Sequence, residues 1–143
     1  MKLAVDINVL VSGSLWKGNP SLLVDALLEG SATLCVSGPV MAEFAEVMQR
    51  EKFQKRLEQK GHSAEKIILR FQAVALNVEA AAIPDPSTLR DADDIHMLAC
   101  AASARANAIV TGDNDLLCME AFEGIPILTV RQALEKLRIP PMQ

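Results

Sequence analysis

Aromatic side chains are scarce in this chain of 143 residues: one Trp, four Phe and no Tyr make up 3% of it. Modules that read single strands by stacking bases on aromatic rings need a composition this sequence lacks. If nucleic acid is bound, it is held mainly through its phosphates. Cysteine is also sparse, and Cys35, Cys100 and Cys118 are odd in number, widely spaced and without a Cys-x-x-Cys pair. That argues against a disulfide framework or a thiolate zinc site and points to a reducing cytoplasm. His62 and His96 are the only histidines, so a three-histidine metal site cannot form within one chain. Long apolar runs are missing too. Uncharged stretches such as 73–77 and 106–112 fall far below the roughly 20 residues of a membrane span, and Asp6 interrupts the start too early for a secretory signal. Finally, bases are outnumbered: 14 Lys and Arg against 18 Asp and Glu give net charge -4.

What is present fits one compact domain, expected over residues 1–138 with a short tail at 139–143. Hydrophobic residues at 50% and charged residues at 22% are ordinary for a globular fold and exclude disorder as its main state. Apolar runs at 2–7, 32–36, 76–83, 108–111 and 125–129 read as strands. Helical spacing marks 22–28, 40–48, 51–75 with a break near Gly61-His62-Ser63, 94–105, 116–122 and 131–137. Ser37-Gly38-Pro39 is a helix-start signal, and the stretch from Asn8 to Pro20 reads as a loop. The alternation predicts an α/β domain with a largely parallel sheet, whose functional residues gather beyond the carboxyl ends of the strands.

The acids fall where that rule looks for them. Asp6 closes the first strand with Asn8 two residues on, Glu43 lies early in the helix after the second, and Asp113 and Asp115 follow the fourth. Asp91, Asp93 and Asp94 stand at the start of the helix leading into the fourth strand. Capping of helix amides suffices to explain Asp91 or Asp93, and Asp115 before Leu116-Leu117. An Asx-turn would serve for Asp6 taken alone. Their conjunction says more, because carboxylates converging on one pocket repel unless a proton or cation offsets them. Oxygen donors without usable Cys or His select a hard cation, Mg²⁺ or Mn²⁺, which also favours phosphate oxygens. The chemistry so inferred is metal-assisted phosphoryl transfer.

These residues give the chain a resemblance to the PIN-domain ribonucleases over nearly its whole length. The resemblance is carried by Val5-Asp6-Ile7-Asn8-Val9-Leu10, Val36-Ser37, Met41-Ala42-Glu43-Phe44, Arg90-Asp91-Ala92-Asp93-Asp94-Ile95-His96-Met97-Leu98-Ala99, Val110-Thr111-Gly112-Asp113-Asn114-Asp115-Leu116-Leu117 and Gly124-Ile125-Pro126-Ile127-Leu128-Thr129. It implies a three-layer domain with five parallel strands in order 3-2-1-4-5. It also implies an acidic quartet of Asp6, Glu43, Asp94 and Asp113, with Asp115 as an added ligand or water-holder, Asn8 orienting Asp6, and Thr111 in support. The third motif departs from the family at Ala92 and Ile95, so Asp93 competes with Asp94 for the ligand role; spacing to Leu98-Ala99 favours Asp94. The implied reaction is Mg²⁺- or Mn²⁺-dependent RNA hydrolysis through a metal-bound hydroxide, leaving 5′-phosphate and 3′-hydroxyl ends. Among its subgroups the chain is most similar to toxin components of toxin–antitoxin pairs, which implies an antitoxin protein as partner and a homodimer.

RNA needs a basic footprint. From Arg50 to Arg70 the local balance is +4, and from Asp91 to Asp115 it is -4, so a basic helical segment stands apart from the acidic pocket. Lys52, Lys55 and Arg56 are candidate phosphate contacts, with Lys17 beside Trp16 as another; a solvated face of Glu–Lys pairs explains the segment equally well. His96 reads as a partly exposed helix residue that could touch substrate. Two other classes stay open: a PIN-fold module that binds RNA or protein with little catalysis, and a metal-dependent phosphatase. The phosphatase would want an acid where Asn8 stands.

Overall fold

The computed structural model describes residues 1–80 and 92–142, with Ala92 and Asp93 described only as part of a helix. In chain order the elements are β1 (Lys2–Val5), α1 (Ile7–Leu15), α2 (Asn19–Glu29), β2 (Thr33–Val36), α3 (Gly38–Met48), α4 (Glu51–Gln59), α5 (Ala64–Val74) and β3 (Leu76–Asn77). They continue as α6 (Ala92–Ala104), β4 (Ala108–Val110), α7 (Asn114–Leu117), β5 (Ala121–Phe122), β6 (Ile125–Leu128) and α8 (Val130–Lys136).

The strands form one sheet in order β3-β2-β1-β4-β6-β5. The first five run parallel, with Leu3 paired to Leu34 on one side and to Ala108 on the other. Alternation along β1 separates two layers, because successive side chains leave opposite faces of a strand. Leu3 and Val5 enter a large core with α1, α2, α3, α5 and α8. Ala4 enters a smaller one with Met97, Leu98 and Ala101 of α6, Ile109 and Leu116. Helices therefore cover both faces, as an all-parallel set of strands requires. The expected order 3-2-1-4-5 holds with β6 as its fifth member.

Three expectations need correction. The sheet has a sixth strand: β5 pairs antiparallel with β6, Phe122 opposite Ile125, so the stretch read as one helix over 116–122 is instead α7 and then β5. Glu123 and Gly124 take positive φ of 49° and 79°, the left-handed pair that a two-residue hairpin needs. Second, β1 stops at Val5, and Asp6 turns the chain into a helix by accepting the Asn8 amide as N-cap. Third, the stretch read as a loop is therefore α1, followed after a short turn by α2. Of the strand expected over 76–83, Leu76 and Asn77 pair with β2; residues 81–83 lie outside the described residues, as does Asp91. The helix break fell where expected, with Ser63 capping α5, and Ser37 caps α3 ahead of Pro39. Beyond α8 the tail is tied back, Met142 donating its amide to Asn19 Oδ1 at 2.6 Å.

Phe44 and Phe71 meet edge to face at 5.2 Å in the larger core. Cys35 and Cys100 lie buried there, whereas Cys118 is exposed. Burial pushes the Cys100 thiol from its ordinary 9.0 up to about 12; the neighbouring Cys35 adds to the rise and a hydrogen bond with Ser37 opposes it. Burial raises Cys35 as well. An unfolded chain ionises these thiols near pH 9 while the native one holds their protons, so stability falls as pH rises through that range. We expect denaturant midpoints to be flat up to about pH 9 and to decline between pH 9 and about 12. Under native conditions at pH 8 a thiol reagent should modify Cys118 alone, with the other two on the order of a hundredfold slower. Equal rates at all three would contradict the buried placement.

Candidate active site

β1 and β4 are neighbours at the centre of the sheet, and each runs into an aspartate that caps the following helix. Asp6 Oδ1 accepts the Asn8 amide at 2.9 Å, and Asp113 Oδ1 accepts the Asp115 amide at 2.9 Å. Aspartate suits both places because its short carboxylate reaches the amide two residues on. Thr111 joins them. Its hydroxyl donates to Asp6 Oδ2 at 2.8 Å and accepts the Asp113 amide at 3.0 Å. Thr111 is fully buried and Asp6 nearly so, so this short chain of hydrogen bonds satisfies polar groups that burial would otherwise make costly.

A cavity of about 420 Å³ opens at this point, lined by Asp6, Asn8, Ser12, Pro20, Gly112 and Asp113, with Val9 and Val130 as apolar walls. It lies where open α/β sheets bind ligands, beyond the carboxyl ends of the strands. Its polar lining offers carboxylate, amide and hydroxyl groups, with neither thiol nor imidazole. Such donors fit a hard divalent cation. Among the described residues, however, no three acids, histidines or cysteines stand together as a finished metal-binding group.

The remaining residues singled out by the sequence fall into three sets. Glu43, half-buried on α3, and Asp94, half-buried in the first turn of α6, are each engaged in an interaction of their own. Asp115 is exposed in the first turn of α7; the cap there is Asp113, and not Asp115 as expected. The Asp93 side chain lies outside the described residues. His96 is exposed on α6. Of the basic candidates, Lys55 pairs with Glu51 at 3.4 Å and Lys52 lies 4.9 Å over the Phe53 ring. Arg56 donates to the Leu15 carbonyl and stacks on Trp16, and Lys17 lines a different cavity. Sequence reasoning passed over Ser12 and Pro20, which line the site because 7–15 is helical. The apolar positions Ile7, Leu10, Val11 and Leu15, at i, i+3, i+4 and i+8, were the available signal.

A family model described as PIN domain matches residues 2–115, well over half of the chain. No curated protein and no solved structure matches it.

Proposed function

We propose, because the chain belongs to the PIN-domain family, that it is a nuclease-type hydrolase, and specifically a Mg²⁺- or Mn²⁺-dependent endoribonuclease. Nuclease function is the family's general character; RNA as substrate and the choice of metal are the finer reading. The observation that carries it is the Asp6–Thr111–Asp113 chain at the mouth of an oxygen-lined cavity.

Asp6 and Asp113 would hold the metal, with Glu43 and Asp94 completing the acidic set from α3 and α6, and Asp115 at its edge. A bound divalent ion supplies water activation and charge neutralisation at a phosphodiester. The chain's own part is orientation. Thr111 uses its hydroxyl in both directions, so Asp6 cannot rotate without breaking a buried hydrogen bond. The Asn8 amide fixes the other oxygen, and Gly112 lines the cavity without a side chain. Among the described residues no imidazole lines the cavity, which suits a reaction whose nucleophile is activated elsewhere than on a side chain. The same reading takes RNA as the substrate, an antitoxin protein as partner, and a second copy of the chain in a homodimer. No helix among the described residues is long and apolar enough to cross a membrane.

The test is cleavage of a mixed RNA pool. With Mg²⁺ or Mn²⁺ present, fragments ending in 5′-phosphate and 3′-hydroxyl should accumulate, and EDTA should reduce the rate at least about a hundredfold. Undiminished cleavage in EDTA would remove the metal from the reading. No cleavage under any metal would leave an RNA- or protein-binding module.

A further inference from the structure

Helix α1 carries a second cavity at the end opposite Asp6. This one encloses about 240 Å³ between the last turn of α1, the face of α2 and the α4–α5 junction. Lys17, Lys60, His62 and Arg70 line it, together with Asp25 and the Trp16 ring. The side-chain ion pairs among the described residues are Glu46–Arg50, Glu51–Lys55 and Arg131–Glu135, so none of these cations is neutralised by one. A small cavity with three lysine or arginine side chains against one carboxylate concentrates positive potential and favours an anion.

Trp16 makes the pocket more than a charged hollow. It is 49% exposed, yet its ring is fixed: the Arg56 guanidinium lies 4.4 Å over it. Arg56 Nε is itself held by the Leu15 carbonyl at 3.1 Å, and Lys60 Nζ reaches the same oxygen at 3.4 Å. Two cations at the carbonyl end of α1 also suit its dipole. An indole held against Arg56, beside cations that no carboxylate pairs with among the described residues, is the combination that holds a base and its phosphate. The two cavities are contiguous along the chain, with Ser12 and Pro20 in one and Gly13 and Ser21 in the other. The helical rise puts Trp16 about 15 Å from Asp6, a span that a few nucleotides of single strand cover.

We propose that this cavity holds a phosphate of the same RNA strand whose scissile bond lies at the Asp6–Asp113 cavity. Trp16 stacks on an adjoining base, and Asp25 accepts a hydrogen bond from a ribose hydroxyl, the group that separates RNA from DNA. The proposal rests on the ribonuclease reading above; it keeps Lys17 as a phosphate contact, gives Lys60 and Arg70 that role in place of Lys52 and Lys55, and leaves Arg56 stacked on Trp16.

Equilibrium binding of a short labelled single-stranded RNA to the full chain, in EDTA and across a salt series, tests it. Lys17→Ala with Arg70→Ala should weaken binding at least about tenfold and reduce the slope of log affinity against log salt by about 0.7, one phosphate contact of a single strand. Trp16→Ala should weaken binding about tenfold with the slope kept. Lys52→Ala with Lys55→Ala should change affinity less than about twofold. Unaltered affinity in the Lys17/Arg70 variant would overturn the proposal. So would adenosine monophosphate competing as well as the oligomer, which would make this a free-nucleotide site. Cleavage measured in parallel separates the two readings. An active wild type whose Lys17/Arg70 variant binds normally removes this cavity alone, whereas salt-sensitive binding at the cavity without cleavage removes the nuclease.

Discussion

Replacing Asp6 with asparagine should leave a folded protein in which the RNA cleavage proposed above falls by about a hundredfold or more. The fold survives because asparagine caps a helix as well as aspartate does, so the Asn8 amide keeps its acceptor and α1 its start. What disappears is the negative charge and one of the two oxygens; Thr111 then faces an amide nitrogen where it now donates to Oδ2. A thermal midpoint close to wild type together with a collapsed rate identifies Asp6 as part of the reacting site. Full activity in the variant would show that the cavity at the β1 and β4 ends is not where the chemistry happens. Thr111→Val is the useful companion, since it keeps both carboxylates but frees Asp6 to rotate and leaves the Asp113 amide without its acceptor. It should lower both stability, by about 1–3 kcal/mol, and rate.

Gly13→Ala should destabilise the protein by about 3 kcal/mol, a steric cost at the top of the usual range for overpacking. That corresponds to roughly 10 °C in the thermal midpoint. In an open helix the same change would stabilise by about 1 kcal/mol, because alanine is the better helix former. The sign reverses here because α1 and α2 touch at this position. A Cβ on Gly13 would sit 2.4 Å from the Pro20 carbonyl oxygen and 2.5 Å from Val24 Cγ2. Val24 could shift, but the Pro20 carbonyl is backbone, so the helices must separate. Gly13 also lines the second cavity, next to Ser12 of the first, and separation would widen both. A midpoint at or above wild type would mean that the two helices stand further apart than described.

The parallel strands, the helices over 51–75 and the acids at strand ends were legible in the sequence because each carries its own local signal. Val5 next to Asp6, and Val110 followed by Thr111-Gly112-Asp113, mark where apolar burial stops and turn chemistry starts. Helix α1 escaped notice for a physical reason. Ser12, Gly13 and Ser14 are indifferent or poor helix formers, and they interrupt the apolar spacing of Ile7, Leu10, Val11 and Leu15; packing against α2, a partner that spacing does not name, supplies the stability. The hairpin of β5 and β6 was hidden similarly: each strand pairs over two residues, and its turn places a glutamate at positive φ where asparagine would have advertised it. The distance from Thr111 to Asp6 along the chain exceeds any spacing rule; sheet topology alone brings them together.

That separation, 105 residues between the partners of one hydrogen bond, sets when the site can exist during synthesis. Domains fold as the ribosome releases them, and β1 can pair with β2 once about a quarter of the chain has emerged. The carboxylate of Asp6 gains its orienting hydroxyl only after β4 is released and inserted at the far side of β1. A nascent chain arrested before Thr111 would therefore hold half of its sheet and an unorganised Asp6. Until β4 is in place Asp6 lacks the hydroxyl that orients it, so the Asp6–Thr111–Asp113 chain of hydrogen bonds is completed in a later, long-range step of folding than the pairing of β1 with β2.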